Sequence, residues 1–495
     1  MEFLQNINQW IIFLIFFFSL VGLVALSGIL LEKFKVSENT TRRFVHIGVG
    51  LLVSISPFLF DDFYPAALLA VIFIVLNWLA LVKDKARGMH STSRKSYGTV
   101  FFPVSFLVLI LLFWNSNTTA LIMGMLLMAI SDPFASFVGE SKLGGKTFVP
   151  WADKKSVGGT LAAFFSNMLL LLVFVPLLSP SFEVGLVFWV MVLNVALVAT
   201  ISEIISKAGT DNLTLPIFSA IILDLTMQLD LNGNLWVLFW LVISVLFVSL
   251  AYQMKSLSVS GAFGAALMGM FIFGIGGADW MLPMASFFVL ASLVSKIGKK
   301  KKEGARLMAE KHDVRDIYQV YANAGIGLVC VILFQFTQKD YFYLAYLASL
   351  AAAAADTWAT EIGTLLGRKP RKITTLRHCL TGESGGITIP GILAALTGAF
   401  SIGFTGFLIS GLVNVKILLA LVLAGFAGSL VDSLLGATLQ SQYRCVTCHK
   451  ITEKRIHCDQ KTILFKGFPW INNDFVNLVC TLSGAVVMLI LIRIL

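Results

Sequence analysis

The chain has 495 residues, of which 57% are hydrophobic and only 13% charged, with a net charge of +10 and a mean hydropathy of +0.87. So little polar surface cannot cover a water-soluble core, which excludes a soluble enzyme and leaves nothing that points to nucleic acid as a partner. Six cysteines in no secreted spacing exclude a disulfide scaffold, and what remains is an all-α polytopic membrane protein in a lipid bilayer.

The first apolar run, 10–31, is too long for a cleaved signal peptide and lacks a basic leader, so it reads as a retained span. At about 20 residues per crossing of a ~30 Å core, the chain holds roughly sixteen spans. Connectors alternate in charge: 33–43, 83–95, 142–155, 203–211, 296–315, 368–383 and 440–474 are rich, whereas 115–119, 179–182 and 276–280 are poor. Lys and Arg collect in loops that stay cytoplasmic, so every motif below is expected on the cytoplasmic face, in a bacterial inner membrane.

In chain order, Arg42, Arg43 and His46 precede the second span, with Arg43 and His46 on one helix face. Arg94 lies in the next charged connector. Asp132 then ends a long apolar run and is followed by Ser136, Gly139, Gly144-Gly145-Lys146 and Lys154-Lys155-Ser156-x-Gly158-Gly159. Alone, such an acid reads equally as a helix cap. Beside glycines that admit phosphate, ammonium groups that neutralise it and a helix starting near Val157, it is what a magnesium-bound polyphosphate needs. The run Gly139-x5-Gly145-Lys146-Thr147 is one residue too long for a P-loop and lacks its βαβ setting. Glu203 closes the second-to-last span of this half, and Asp211-Asn212 opens the last.

The layout recurs. Asp132-x3-Ser136-x2-Gly139 is matched by Asp356-x3-Thr360-x2-Gly363, and Ser156-x-Gly158-x-Thr160 by Ser384-x-Gly386-x-Thr388. Arg94 precedes Arg315 by 221 residues (315 − 94), and Glu203 precedes Asp432 by 229 (432 − 203). Near-constant offsets spanning an even number of helices predict two tandem parallel repeats of about seven to eight transmembrane helices each, 1–232 and 233–495. The second repeat also offers Gln319 and Asn323 beside Arg315, the loop residues Arg368, Lys369, Glu383, Ser384, Gly385 and Gly386, and Asn473-Asp474 with Asn477. Asp132 and Glu203, and likewise Asp356 and Asp432, are the expected Mg²⁺ ligands, because carboxylates from different helices at one depth can share a divalent ion. His46 has no counterpart in the second half, which carries Ser260-Gly261 there.

An insertion at 443–470 contains Cys445-x2-Cys448-His449 and His457-Cys458. Three cysteines with either His449 or His457 would complete a tetrahedral structural Zn²⁺ site.

The first half resembles the dolichol kinase, phytol kinase and CTP-transferase-like membrane enzymes. The resemblance rests on Arg42-Arg43-x2-His46, Arg94-x3-Gly98, the Asp132 to Gly159 block and Thr210-Asp211-Asn212-Leu213-Thr214-Leu215-Pro216. The second half resembles the phytyl-phosphate kinase family through Asp356 to Gly363, Gly382-Glu383-Ser384-Gly385-Gly386, Gln442-Tyr443-x-Cys445-x2-Cys448 and Asn473-Asp474-x-Val476-Asn477. The resemblance implies a bifunctional kinase with CTP as the nucleoside triphosphate. An isoprenoid alcohol would become its monophosphate in the first half, and the prenyl monophosphate the diphosphate in the second. His46 or one of the acids would take the alcohol's proton. A CTP-dependent lipid cytidylyltransferase is the nearest rival. A secondary transporter is another, although transporter sites usually lie near the bilayer midplane.

Overall fold

A computed structural model describes residues 8–82, 96–150, 153–298, 314–367 and 369–495, so Arg94 and Arg368 lie outside the described residues. The chain separates into two compact units, Met1–Leu238 and Phe239–Leu495.

The first unit contains α1 (Gln9–Glu32), α2 (Glu38–Ser54), α3 (Phe63–Val82), α4 (Gly98–Phe113), α5 (Thr118–Leu126), α6 (Asp132–Glu140), α7 (Val157–Leu178), α8 (Leu186–Ile204) and α9 (Asp211–Met227). Side-chain oxygens start several of them: Ser37 accepts from Thr40 N, Asn117 from Ala120 N and Ser156 from Gly159 N. The centre is α5 with the turn that follows it, α8 and α9, where Leu121, Met123, Met125, Leu127, Met191 and Leu223 are wholly buried. By contrast α1 and α7 expose Ile15, Phe18, Phe165 and Leu169, the surface of an element facing acyl chains rather than water.

α10 (Leu231–Gln253) crosses the boundary into the second unit. There α11 (Val259–Lys296), α12 (Ile317–Thr337), α13 (Tyr341–Leu366), α14 (Ile389–Ile409), α15 (Val415–Thr438) and α16 (Asn473–Leu491) follow. The hub is α13, which packs against α12, α14, α15 and α16 and is buried throughout Leu344 to Ala355. Its alanines let neighbouring backbones approach: a Cβ on Gly428 of α15 would stand 2.6 Å from Ala352 Cβ and 2.7 Å from Cys480 O of α16. α11 is broken at Gly277, whose φ of +64° is not helical.

Eleven helices among the described residues are long and apolar enough to cross a membrane, rather than sixteen. The difference has physical causes. α2 and α9 have 17 residues each and α4 has 16, α13 is diluted by tyrosine and alanine, and α11 joins two segments across its break. Nor is the chain purely helical, because connecting loops pair part of their own backbone in short antiparallel ladders. These are β1 (Thr147–Phe148) with β2 (Lys155–Ser156), β3 (Arg371–Lys372) with β4 (Gly386–Ile387), β5 (Gln442–Arg444) between β6 (Ile451–Thr452) and β9 (Ile463–Lys466), and β7 (Ile456–His457) with β8 (Gln460–Lys461).

Candidate functional site

In the first unit, the helix carrying Asp132 contains a π-turn over Leu127 to Ser131, in which each N–H reaches back five residues. Continuing that ladder would pair the Met128 carbonyl with residue 133. Pro133 has no N–H, so this carbonyl is open inside the protein. His46 of α2 fills the gap, its Nε2 donating to Met128 O at 3.1 Å and lying 3.9 Å from Asp132 Oδ2. A carbonyl only accepts, so the neutral imidazole carries its proton on Nε2 and keeps Nδ1 basic. One turn earlier, Arg43 donates to Ser136 Oγ at 2.9 Å and pairs with Glu140 at 2.5 Å, which locks α2 onto α6.

Across the cavity, the β1–β2 pairing sets Lys155 toward α8. Its ammonium meets Glu203 Oε1 at 2.5 Å and Ser206 Oγ at 2.9 Å. Burial alone pulls the Lys155 pKa down, but Glu203 and Asp211 outweigh it and hold it above the ordinary lysine value. Asp211, Lys155 and Glu203 all act electrostatically on Asp132, so three carboxylates converge on one cation. They line a cavity of about 450 Å³ together with His46, Ser136, Gly139, Lys154, Ser156 and Gly159, a volume of the size that holds small-molecule ligands. Two buried oxygens on its wall, Glu203 Oε2 and Thr160 Oγ1, have no hydrogen-bond partner among the described residues. A carboxylate oxygen left unpaired inside a protein is suited to a metal ion.

Gly144, Gly145, Lys146 and Gly158 are not among the residues that line this cavity. A Cβ on Gly158 would fall 2.0 Å from Leu143 O, so glycine there lets the 141–145 loop rest on the first turn of α7. Asn212 spends its amide on Gly98 O at 3.0 Å, fixing the start of α4.

A second cavity of about 470 Å³ adjoins the first. It is lined by α1 to α4 through Phe16, Leu20, Leu69, Phe73, Phe102 and Phe106, and shares Arg42 and His46 with the polar cavity. An apolar chamber and a polar one therefore meet at one imidazole and one guanidinium.

In the second unit, Asp356 lies inside α13, with the helix continuing to Leu366, and is within hydrogen-bonding reach of Asp432 in the last third of α15; Asp432 Oδ2 is buried without a partner among the described residues. Lys372 pairs with Glu383 at 2.5 Å, and Ser384 Oγ donates to Glu453 at 2.7 Å. Arg315, Gln319 and Asn323 line a separate, mainly apolar cavity of about 70 Å³, with the Arg315 guanidinium 5.5 Å from the Phe288 ring centre. Asn473 and Asp474 open α16, which is capped by Asn472 through its bond from Phe475 N, and Asn477 follows one turn on. Thr360 and Lys369 are exposed.

One sequence match is out of register. Ser156 caps α7 by accepting from Gly159 N at 3.1 Å and packs on Gly139. In the second unit Thr388 caps α14 by accepting from Gly391 N at 3.1 Å and packs on Gly363, so the counterpart of Ser156 is Thr388, four residues beyond Ser384. Ser-x-Gly-x-Thr matched a loop, whereas the shared feature is a helix start. Glu140, Ser206 and Glu453 carry no motif and came only from the structure. The charge of Glu140 four residues beyond Ser136 was the one available signal.

Apolar helices enclosing polar clusters at their ends define a polytopic integral membrane protein. The chain belongs to the integral membrane protein DUF92 family, whose profile matches residues 242–485. It is 32% identical over 262 residues to the uncharacterized membrane protein MJ0933 of Methanocaldococcus jannaschii, covering 53% of this chain and 97% of that protein. It is also similar to a phytol kinase of Synechocystis sp. (31% identity, 41% of this chain, 86% of the kinase) and to the chloroplastic protein VTE6 of Arabidopsis thaliana (25%, 48% and 65%). No solved structure matches the chain.

Proposed function

We propose that the chain is a prenol kinase whose first unit phosphorylates an isoprenoid alcohol and whose second unit phosphorylates the resulting monophosphate, with CTP as donor, Mg²⁺ as cofactor and both sites on the cytoplasmic face. The observation that carries this reading is the junction of an apolar chamber with a polar one at His46 and Arg42. A long-chain alcohol partitions into the lipid and a nucleotide into water, so an enzyme joining them needs two such chambers with the reacting atoms at the wall between. The phytol kinase relatives support the substrate class.

In this reading the alcohol oxygen attacks the γ-phosphorus, the bond to the bridging β–γ oxygen breaks and CDP leaves. His46 Nδ1 takes the hydroxyl proton. Arg42, Lys154 and Lys155 neutralise phosphate charge, and positioning contributes most, because a loose transition state asks little of a base. Asp132 and Glu203 Oε2 would hold Mg²⁺ in the first unit, and Asp356 with Asp432 in the second, where the ion supplies further charge neutralisation. The second acceptor is a phosphate, already ionised, which agrees with the absence there of a histidine equivalent to His46. Eight helical segments in each unit, counting α5–α6 as one and α11 as two, support the paired-repeat reading.

The test is to incubate the purified chain with γ-labelled CTP, Mg²⁺ and a panel of prenols, then repeat with Asp132→Ala and Asp356→Ala. The first variant is expected to make nothing from alcohol yet convert added monophosphate, and the second to halt at monophosphate. Label appearing in pyrophosphate would instead identify a cytidylyltransferase. A chain that neither transfers label nor gains thermal stability from CTP and Mg²⁺ would refute the kinase reading and favour a secondary transporter.

A further inference from the structure

The segment after α15 folds back as two hairpins. In the first, β5 leads into Cys445, the chain turns, and Cys448 N–H donates to Cys445 Sγ at 3.5 Å before β6 returns. In the second, β7 pairs with β8 in the register His457↔Gln460, leaving a two-residue turn of Cys458 and Asp459 with φ of +52° and +58°. Neither residue is glycine, so both sit in a left-handed conformation that costs energy and persists where the surroundings impose it. The result brings the Sγ atoms of Cys445, Cys448 and Cys458 and a ring nitrogen of His457 within 4.8 Å of one another. Cys448 Sγ is 3.5 Å and Cys458 Sγ 3.2 Å from His457 Nδ1. A zinc ion with bonds of about 2.3 Å to sulfur and ~2.0 Å to nitrogen sets its tetrahedral S···N edges near ~3.5 Å. His449, although adjacent to Cys448, is not in the group.

We propose that Cys445, Cys448, Cys458 and His457 bind one structural Zn²⁺, which ties the two hairpins together and so holds Glu453, which lies between them, against the 382–386 loop. Glu453 is the contact that matters: its Oε1 accepts from Ser384 Oγ at 2.7 Å and from Gln440 Nε2 at 2.9 Å. Below it, Lys466 of β9 donates to Ala437 O at the end of α15. The hairpins are too small to bury a core of their own, and two-stranded pairs are marginal without one. Three thiolates and an imidazole select zinc over magnesium or calcium, and with no open position the ion is structural. This assignment does not depend on the kinase reading.

The test uses the full chain purified in detergent without added metal. Elemental analysis is expected to give about one zinc per chain, and Co²⁺ exchange to give thiolate-to-metal charge-transfer absorption. Cys448→Ser/Cys458→Ser and His457→Ala should each lose the zinc while keeping the helical circular dichroism of the wild type, and His449→Ala should keep it. Chelation should speed proteolysis within 443–470 in the wild type and in His449→Ala, and not in the zinc-free variants. Zinc absent from the wild type, iron in its place, or loss in His449→Ala with retention in His457→Ala would each overturn the assignment.

Discussion

Replacing Lys155 with methionine keeps the apolar stem and removes the ammonium that Glu203 faces at 2.5 Å. The two side chains are 15% and 8% exposed, so the carboxylate left behind has little water to turn to. Stranding one member of a buried pair costs about 3–5 kcal/mol, which for a unit of this size lowers the melting temperature by on the order of 10 °C. Glu203→Gln should cost less, about 1–3 kcal/mol, because the amide oxygen still accepts from Lys155. The double variant Lys155→Met/Glu203→Gln should then be more stable than Lys155→Met alone, since it removes the stranded charge. Because the Lys155 pKa is raised, its stabilising charge is fully present in the wild type between pH 6 and 8 and is lost only as pH climbs through that elevated value, so the proteins are compared at one pH within that range. The assay is thermal unfolding of the full chain in detergent across the four proteins. If Lys155→Met melts with the wild type, or if the double variant shows the sum of the two single losses, Lys155 and Glu203 are not coupled as described.

His46→Ala should lower alcohol phosphorylation by on the order of 10²-fold, the low end for a positioned base because a loose transition state asks little of it, without altering conversion of added monophosphate. Equal loss in both steps would remove the histidine from its proposed role. Ala70→Trp fills the apolar chamber, where Ala70 is 2% exposed, and should raise KM for long prenols at least about tenfold while sparing short ones. Gly158→Ala puts a methyl 2.0 Å from a backbone carbonyl and should destabilise the first unit by about 1–3 kcal/mol, read as a lower melting temperature with unchanged metal content.

The sequence exposed the charged and apolar elements better than the spaces between them. Asp132 and Lys155 stood out because an ionisable residue next to a span is costly enough to need a reason, and the structure brings both to one cavity. Glycine was harder to interpret. Gly144 and Gly158 suggested phosphate contact, yet each serves backbone packing, and a glycine tolerated beside phosphate looks in sequence like one required beside a carbonyl. The apolar chamber left no mark at all, since Phe16, Leu69 and Phe102 are ordinary span residues whose shared void depends on helix packing. The open Met128 carbonyl was hidden too, although Pro133 beside Asp132 was its visible half.

The two units handle negative charge differently, and the difference follows their proposed substrates. In the first, Lys155 is built in against Glu203 and acts on Asp132, so the acids are partly neutralised before any ligand arrives. In the second, Asp356 and Asp432 face each other, while Lys372 is engaged by Glu383. Two carboxylates in contact must share a proton or a cation. An alcohol brings no charge to the first site, whereas a monophosphate brings up to two negative charges to the second, in addition to those of the nucleotide. Among the described residues no cation is set against Asp356 and Asp432 as Lys155 is against Glu203, and on the proposed reading the second unit meets the more highly charged substrates. On the proposed reading its dependence on a divalent ion is the stronger of the two, because the ion there must separate the carboxylates as well as bridge phosphate.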